Sequence, residues 1–166
     1  RHLRGSDAGP TGMLLVRPGR IRGVDIARIA LERALLPPSQ AARPSASVLG
    51  FGEGRAVACY TLAEFANERE WIEKLLGWYM RGMRQPVHAF PNCAQAFAEA
   101  WVKGKGASPS QAAEKAWLEG EYPEGIDAFN ALISRHRGEA VLDEQFEAFA
   151  SEVYVPLHRM LAKVKS

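Results

Sequence analysis

Apolar positions in the first third of the chain form short runs and one helical pattern. Met13 to Val16 is a short apolar run followed by a Pro18-Gly19 pair, which predicts a strand and then a turn. Asp25 can cap the helix that follows, which ends before Pro37-Pro38. Two further apolar runs between Val48 and Tyr60 are separated by glycines, which predicts a β-hairpin. The helix has apolar positions at helical spacing, namely Ile26, Ile29, Ala30 and Leu36.

The next helix is predicted from a capping box at Thr61 and Glu64 to about Met80. A pair four residues apart, Glu70 and Lys74, is expected on its polar side. Its apolar face is expected to contain Phe65, Ile72, Leu75, Leu76 and Tyr79.

Helices dominate the rest of the predicted chain. After an extended segment, Val87 to Phe90, a capping box at Asn92 and Gln95 begins a helix through Val102. Ser108-Pro109 begins another to Leu118, and a short helix is predicted from Gly125 or Asp127 to Arg135. Asp143 caps the last helix, which Pro156 kinks without ending. Its apolar face is predicted to hold Phe146, Phe149, Val153, Leu157, Leu161 and Val164.

The order strand, helix, hairpin, helix, then further helices predicts an α/β fold with a small sheet and flanking helices. Residues 1–12 contain Gly, Ser and Pro and are predicted to be a flexible lead-in, with a single domain over residues 13–166. The chain opens on Arg1 rather than Met, so we expect it to be part of a larger polypeptide.

The composition is that of a globular protein, with 47% hydrophobic and 24% charged residues and a net charge of +2. Basic residues concentrate before Tyr60, and the chain from Glu64 to Glu152 is rich in acids, which predicts a basic face at one end. Cys59 and Cys93 lie outside any CxxC pair and are expected to be free thiols in a reducing compartment. With no membrane span or secretory signal in the sequence, we expect a cytoplasmic location.

No catalytic or metal motif is found in the sequence. The four histidines lack ligand spacing, no phosphate-binding loop is present, and no serine or cysteine has a nucleophile motif around it. The predicted fold order is that of restriction-type nucleases, which bind Mg²⁺ through an acid on one strand and an acid-x-Lys on the next. No Asp or Glu has a Lys two residues later, and the nearest match is Glu53-Gly54-Arg55. We therefore predict no catalytic residue, no metal ligand and a turn position for Glu53.

Two groups of arginines are candidates for contact with phosphates, whose oxygens fit the guanidinium fork. Arg17, Arg20 and Arg22 follow the first strand, and Arg81 and Arg84 flank Gly82. A solvated strand end and a helix C-terminus would explain the same residues. The four tryptophans fall on predicted helices, where helical core and base stacking both stay open.

The order of these segments resembles one family, the C-terminal region of the exodeoxyribonuclease V gamma chain, RecC. Leu14 to Leu36 is similar to the strand, turn and helix that open that region. Trp78 to Met83, followed by Gln85-Pro86 and Phe90-Pro91, is similar to its helix that ends at a glycine before a proline-bounded segment. Asp143 to Leu157 resembles its closing helix.

The resemblance implies a subunit of a heterotrimeric helicase–nuclease that processes double-strand DNA ends for recombinational repair. It implies a degenerate restriction-endonuclease-like core of the PD-(D/E)XK type with a helical C-terminal part. Such a domain is non-catalytic and contacts DNA forks and the beta and alpha subunits (RecB and RecD). It needs no cofactor, because the partner subunits use Mg²⁺ and ATP. Two alternatives remain, an active metal-dependent nuclease using Glu53 and a helical protein-interaction module with no DNA role.

Overall fold

The computed structural model describes residues 12–36, 44–52, 56–63, 67–104, 106, 108–119, 123–128, 130, 132 and 141–164. The chain divides into two compact units. The first comprises Arg1–Ile72 with Met160–Ser166, and the second comprises Glu73–Arg159. The expected flexible lead-in lies almost wholly outside the described residues, and the single domain over residues 13–166 stays a prediction.

The first unit is built on a four-stranded sheet in the order β1-β2-β3-β4. The strands are β1 (Met13–Arg20), β2 (Ala46–Phe51), β3 (Val57–Leu62) and β4 (Leu161–Val164). Helix α1 (Gly23–Ala34) joins β1 to β2, which are parallel, and the other two pairs are antiparallel. The predicted α/β class and the predicted hairpin are confirmed, and the restriction-endonuclease-like core stays a prediction.

Helix α1 packs on β1 and β2 and buries Ile26, Ile29 and Ala30. Arg33 is also buried on this helix, and its guanidinium donates to the carbonyl oxygens of Leu62 and Ala63 at 3.1 and 2.8 Å. These bonds satisfy a buried charge through backbone acceptors at the end of β3. The buried strand residues alternate with more exposed ones, as a sheet with one well-covered face requires; they are Ala46, Val48, Gly50, Ala58 and Leu62.

The second unit is helical. Helix α2 (Glu68–Gly82) begins in the first unit and continues into the second, where α3 (Pro91–Lys103) and α4 (Pro109–Leu118) pack together. A 3-10 turn (Glu124–Ile126) follows, and the last helical segments are α5 (Glu144–Phe149), a π-helical turn (Ala150–Tyr154) and α6 (Val155–Met160).

Aromatic rings form the centre of this unit. Phe90 packs edge-on against Trp117 with ring centroids 4.7 Å apart, and Phe97 packs edge-on against Phe146 at 6.1 Å. Edge-to-face pairs of this kind add to the free energy gained from burying the ring area. Phe149, Val153 and Leu157 extend the same core along the final helices.

Several predicted boundaries are wrong for physical reasons. β1 continues through the predicted Pro18-Gly19 turn, because an edge strand tolerates proline. Arg22 is the N-cap of α1, and Asp25 lies three residues later and accepts from the amide of Arg22 at 2.9 Å. Thr61 caps no helix; it belongs to β3 and shares a hydrogen bond with Ser47 at 2.9 Å. Glu64 and Phe65 lie outside the described residues.

Among the helix caps predicted in the second unit, some are confirmed and one is wrong. Ser108 caps α4 with Pro109 as its first residue, and Asp143 caps α5, so both predictions are confirmed. The box at Asn92 and Gln95 is wrong, because α3 begins at Pro91 after Phe90. Of the helix predicted toward Arg135, the 3-10 turn and residues 128, 130 and 132 are described.

The final helix ends at Met160, and the prediction that Leu161 and Val164 continue it is wrong because both lie in β4. The π-helical turn ends at Tyr154, two residues before Pro156. A wider turn at this point changes which carbonyl faces the proline ring, so the helix continues past a residue that lacks an amide hydrogen. None of the described helices is long and apolar enough to cross a membrane.

Candidate functional site

The five candidate arginines fall into two groups, one in each unit. Arg17, Arg20 and Arg22 surround the end of β1 and the start of α1 in the first unit. Arg81 and Arg84 lie at the C-terminal end of α2 in the second.

Arg17 is bound to other groups of the first unit. Its Nη1 donates to Asp25 Oδ1 at 2.9 Å, and its Nε donates to the carbonyl oxygen of Arg20 at 2.9 Å. Asp25 is buried, so its charge and that of Arg17 largely compensate one another. Arg20 and Arg22 are exposed, so a phosphate can reach their side chains from solvent.

The second group is built around Trp78, which is buried and faces the core. Its Nε1 donates to Glu152 Oε2 at 2.8 Å, and Lys74 Nζ donates to Glu152 Oε1 at 3.0 Å. The hydrogen bond from Lys74, with the one from Trp78 and the charges of Lys74 and Arg81, holds the pKa of Glu152 below its ordinary value despite partial burial. Lys74 therefore pairs with Glu152, and the predicted pair with Glu70 is wrong.

Arg81 lies over the Trp78 ring, with its Cζ 4.6 Å from the ring centroid. A cation–π contact of this kind restrains the arginine side chain at the surface. Arg81 and Arg84 line a shallow surface depression with Gly77, Met80 and Gln85. Arg81 and Arg84 are the charged residues that line this depression, and the nearby Glu152 carboxylate is held by Lys74 and Trp78.

A second feature is an exposed apolar stripe along the end of α2, which consists of Leu76, Tyr79 and Met80 with Met83 just past the last helical residue. The predicted core face of this helix included Leu76 and Tyr79, and that part of the prediction is wrong. The buried side holds Trp71 and Trp78 instead. The spacing of the stripe was visible in the sequence, but periodicity alone does not tell which of two apolar faces is covered.

Buried acids in the second unit serve the fold. Glu124 accepts from the amides of Asn92 and Cys93 at 3.2 and 2.8 Å and so caps the N-terminus of α3. Burial, and then the charge of Glu124, raises the pKa of the Cys93 thiol far above its ordinary value. A thiol held in its neutral form is a poor nucleophile.

The buried His88 side chain contacts the half-buried Asp143, with Nδ1 and Oδ2 3.0 Å apart. Asp143 Oδ1 also accepts from the amide of Phe146 at 2.9 Å and caps α5. Within the described parts of the chain, no three His, Cys, Asp or Glu side chains cluster so as to hold a metal ion. Glu53 lies outside those parts, and its predicted turn position stays a prediction.

A family model described as the RecC C-terminal domain matches residues 1–101. The match covers more than half of the chain, from its start through β1, α1, the hairpin, α2 and most of α3. No curated protein matches the chain.

Proposed function

The chain belongs to the RecC C-terminal domain family, which implies a part in the exodeoxyribonuclease V complex, and we propose that it serves there as a non-catalytic domain that contacts DNA and the other subunits. Family membership is the observation that carries the proposal. The complex acts on DNA ends in recombinational repair in the cytoplasm, and Mg²⁺ and ATP are used by its beta and alpha subunits.

The sequence of the strands supports a non-catalytic role. Two-metal nucleases need carboxylates fixed on the strands beside the scissile phosphate. None of the four described strands contains an Asp or Glu, and no acid anywhere in the chain has a Lys two residues later. A nuclease centre of the restriction type would therefore lack its ligands at the positions where the chemistry needs them.

The exposed arginines support DNA contact. Arg20 and Arg22 in the first unit are exposed, and guanidinium groups bind phosphate oxygens without sequence preference. Arg17 contributes less than its neighbours in this proposal, because Asp25 already accepts its hydrogen bond.

The test is fluorescence anisotropy of the purified chain with a labelled DNA fork across a salt series. Binding should weaken steeply with salt, because phosphate contacts release counterions. Replacing Arg20 and Arg22 together by Ala should reduce the magnitude of the negative slope of log K against log salt by about 2, roughly one per phosphate contact. Arg28→Ala is the matched control, since this exposed arginine of α1 is paired with Glu32.

The DNA is then checked for cleavage in Mg²⁺ and Mn²⁺. Cleavage that is lost in Glu53→Ala would establish the active nuclease instead. The absence of both binding and cleavage would favour the third reading, a helical protein-interaction module, for which the exposed apolar stripe of α2 is the supporting observation.

A further inference from the structure

Helix α2 has two apolar faces, and one of them is exposed. The Trp71 and Trp78 side chains are only 3% and 7% exposed, whereas Leu76, Tyr79, Met80 and Met83 are 55%, 62%, 46% and 69% exposed. These four positions follow the spacing i, i+3, i+4 and i+7, so they form one continuous stripe about two turns long. Single exposed apolar residues are ordinary, but a contiguous row of four large ones marks an interaction surface.

The shape and residue types of the stripe fit a helix. The stripe is one helix face wide, and side chains at this spacing interdigitate with those of a second helix. Tyr and Met are enriched at protein interfaces, and the flexible Met side chains adapt to an irregular partner surface.

The charge beside the stripe constrains the partner. Arg81 lies among the stripe residues, Arg84 follows just past the helix end, and the sequence from Lys74 to Ala98 contains no Asp or Glu. The Glu152 carboxylate near Arg81 already accepts hydrogen bonds from Lys74 and Trp78. Arg81 is held in place over the Trp78 ring, so its charge is presented at a fixed position. A partner helix with acidic residues beside its apolar face would complement this surface, and one with basic residues would be repelled.

We propose that the exposed stripe of α2 is the docking site for an amphipathic helix of another subunit, with acidic residues flanking the apolar face of that helix. The inference rests on the proposed function, because it assigns one surface to the subunit contact proposed there. It adds the location on α2, the helical form of the partner and the sign of its charge.

Photo-crosslinking in the assembled complex tests the location. Benzoylphenylalanine replaces Tyr79 or Met83 in separate variants and, as a control, exposed Glu114 on α4. The expected result is crosslinking from positions 79 and 83, at least tenfold above that from position 114, to an acidic amphipathic helix of one partner subunit. Crosslinks to DNA, to a second copy of this chain or to a non-helical segment would overturn the proposal, as would equal yields from all three positions.

A second experiment tests whether the partner helix is acidic. Leu76→Glu and Arg84→Glu each place an acid where the partner helix is expected to have its own, and both should weaken partner retention at least tenfold in a pull-down of the complex. Arg84→Lys should retain the partner, and Arg159→Glu, at an exposed arginine of α6, is the control for charge reversal elsewhere. Unchanged retention in both acidic variants would contradict the proposal. Leu76 and Arg84 are both exposed, so neither acidic substitution should disturb the fold. An unchanged melting temperature of each variant verifies this.

The same variants separate this inference from the proposed function. Leu76→Glu leaves Arg20 and Arg22 in place, so its fork binding in the anisotropy assay should be unchanged even when partner retention is lost. Unchanged retention with salt-sensitive fork binding overturns only the docking site. Lost fork binding in wild type, with crosslinks from positions 79 and 83 as expected, overturns only the DNA contact.

Discussion

Asp25 holds the guanidinium of Arg17, so a ligand would have to compete with this carboxylate for Arg17. Both of its oxygens are used, one by the guanidinium of Arg17 and the other by the amide of Arg22. The ion pair joins a strand to the helix after it, so it depends on how the two elements pack. The sequence showed the cluster of basic residues, but it did not show that Asp25 pairs with Arg17. An acid that caps a helix and an acid that forms an ion pair have the same local sequence pattern.

His158 should make the stability of the protein depend on pH near neutrality. Burial lowers the pKa of its imidazole; the charge of Glu99 acts in the opposite direction, and that of Lys103 adds to the lowering. Its Nδ1 is buried without a hydrogen-bond partner among the described residues, which further disfavours an added proton. The unfolded chain, with a histidine pKa of about 6.5, therefore takes up a proton more readily than the folded chain.

The sign of the effect follows from this difference. Neutral His158 contributes fully to the free energy of unfolding above pH about 6.5, the pKa of a histidine in the unfolded chain. This contribution is lost as the pH falls through the lower pKa of the folded chain, at a rate of at most about 1.4 kcal/mol per pH unit. Denaturant unfolding between pH 7.5 and 5.5 measures it. The free energy of unfolding should decrease less in His158→Gln than in wild type, and equal decreases in the two proteins would show that His158 has no part in it.

Among the helices and strands, the helices that are capped by residues of their own first turn were predicted best. Ser108-Pro109 and Asp143 act through hydrogen bonds within one turn, so the sequence contains the whole signal. Elements defined by distant partners were predicted worst. β4 exists because it pairs with β3, and α3 is capped by Glu124 from far along the chain. The apolar spacing of Leu161 and Val164 suits a helix equally well, and it is the pairing with β3 that makes this segment a strand.

Two glycines should respond oppositely to alanine because of where they lie. A Cβ on Gly50 in β2 would approach Ile21 Cγ1 to 2.8 Å and the carbonyl oxygen of Gly19 to 3.0 Å. The backbone oxygen cannot move without shifting β1, so Gly50→Ala should destabilise by about 1–3 kcal/mol. A Cβ on Gly77 in α2 meets nothing within 4 Å, so Gly77→Ala should stabilise the helix by about 0.5–1 kcal/mol.

Chemical denaturation of the two variants beside wild type measures both changes. A neutral Gly50→Ala would mean that β1 and β2 are less closely fitted than the structure shows. A destabilising Gly77→Ala would mean that the added methyl meets a neighbour. The pair serves as its own control, because the substitution is the same in both.

For the whole molecule, the sequence predicted the α/β class and the family but not the surfaces that matter for assembly. In the sheet, as in α2, the sequence does not show which apolar residues stay exposed. Val16, Leu49, Cys59 and Val164 lie side by side across all four strands, with the two outer residues 53% and 48% exposed. Hydrophobicity predicts that such a residue prefers burial and does not say whether its own chain supplies the cover. The apolar surfaces left over therefore had to be found in three dimensions.

The absence of acids on the described strands leads to a final prediction about metal binding by the whole chain. A functional two-metal centre binds Mg²⁺ in the folded state only, so Mg²⁺ at about ten times its dissociation constant would stabilise the protein by about 1.4 kcal/mol. We expect no such gain, because β1 to β4 contain no carboxylate to act as a ligand. The measurement is the free energy of unfolding in EDTA and in a Mg²⁺ series at constant ionic strength. Constant ionic strength excludes general screening of charge, and Ca²⁺ distinguishes a specific site from weak surface binding. Stabilisation by Mg²⁺ that disappears in Glu53→Ala would place a metal site at Glu53 and restore the active nuclease as the better account of this domain.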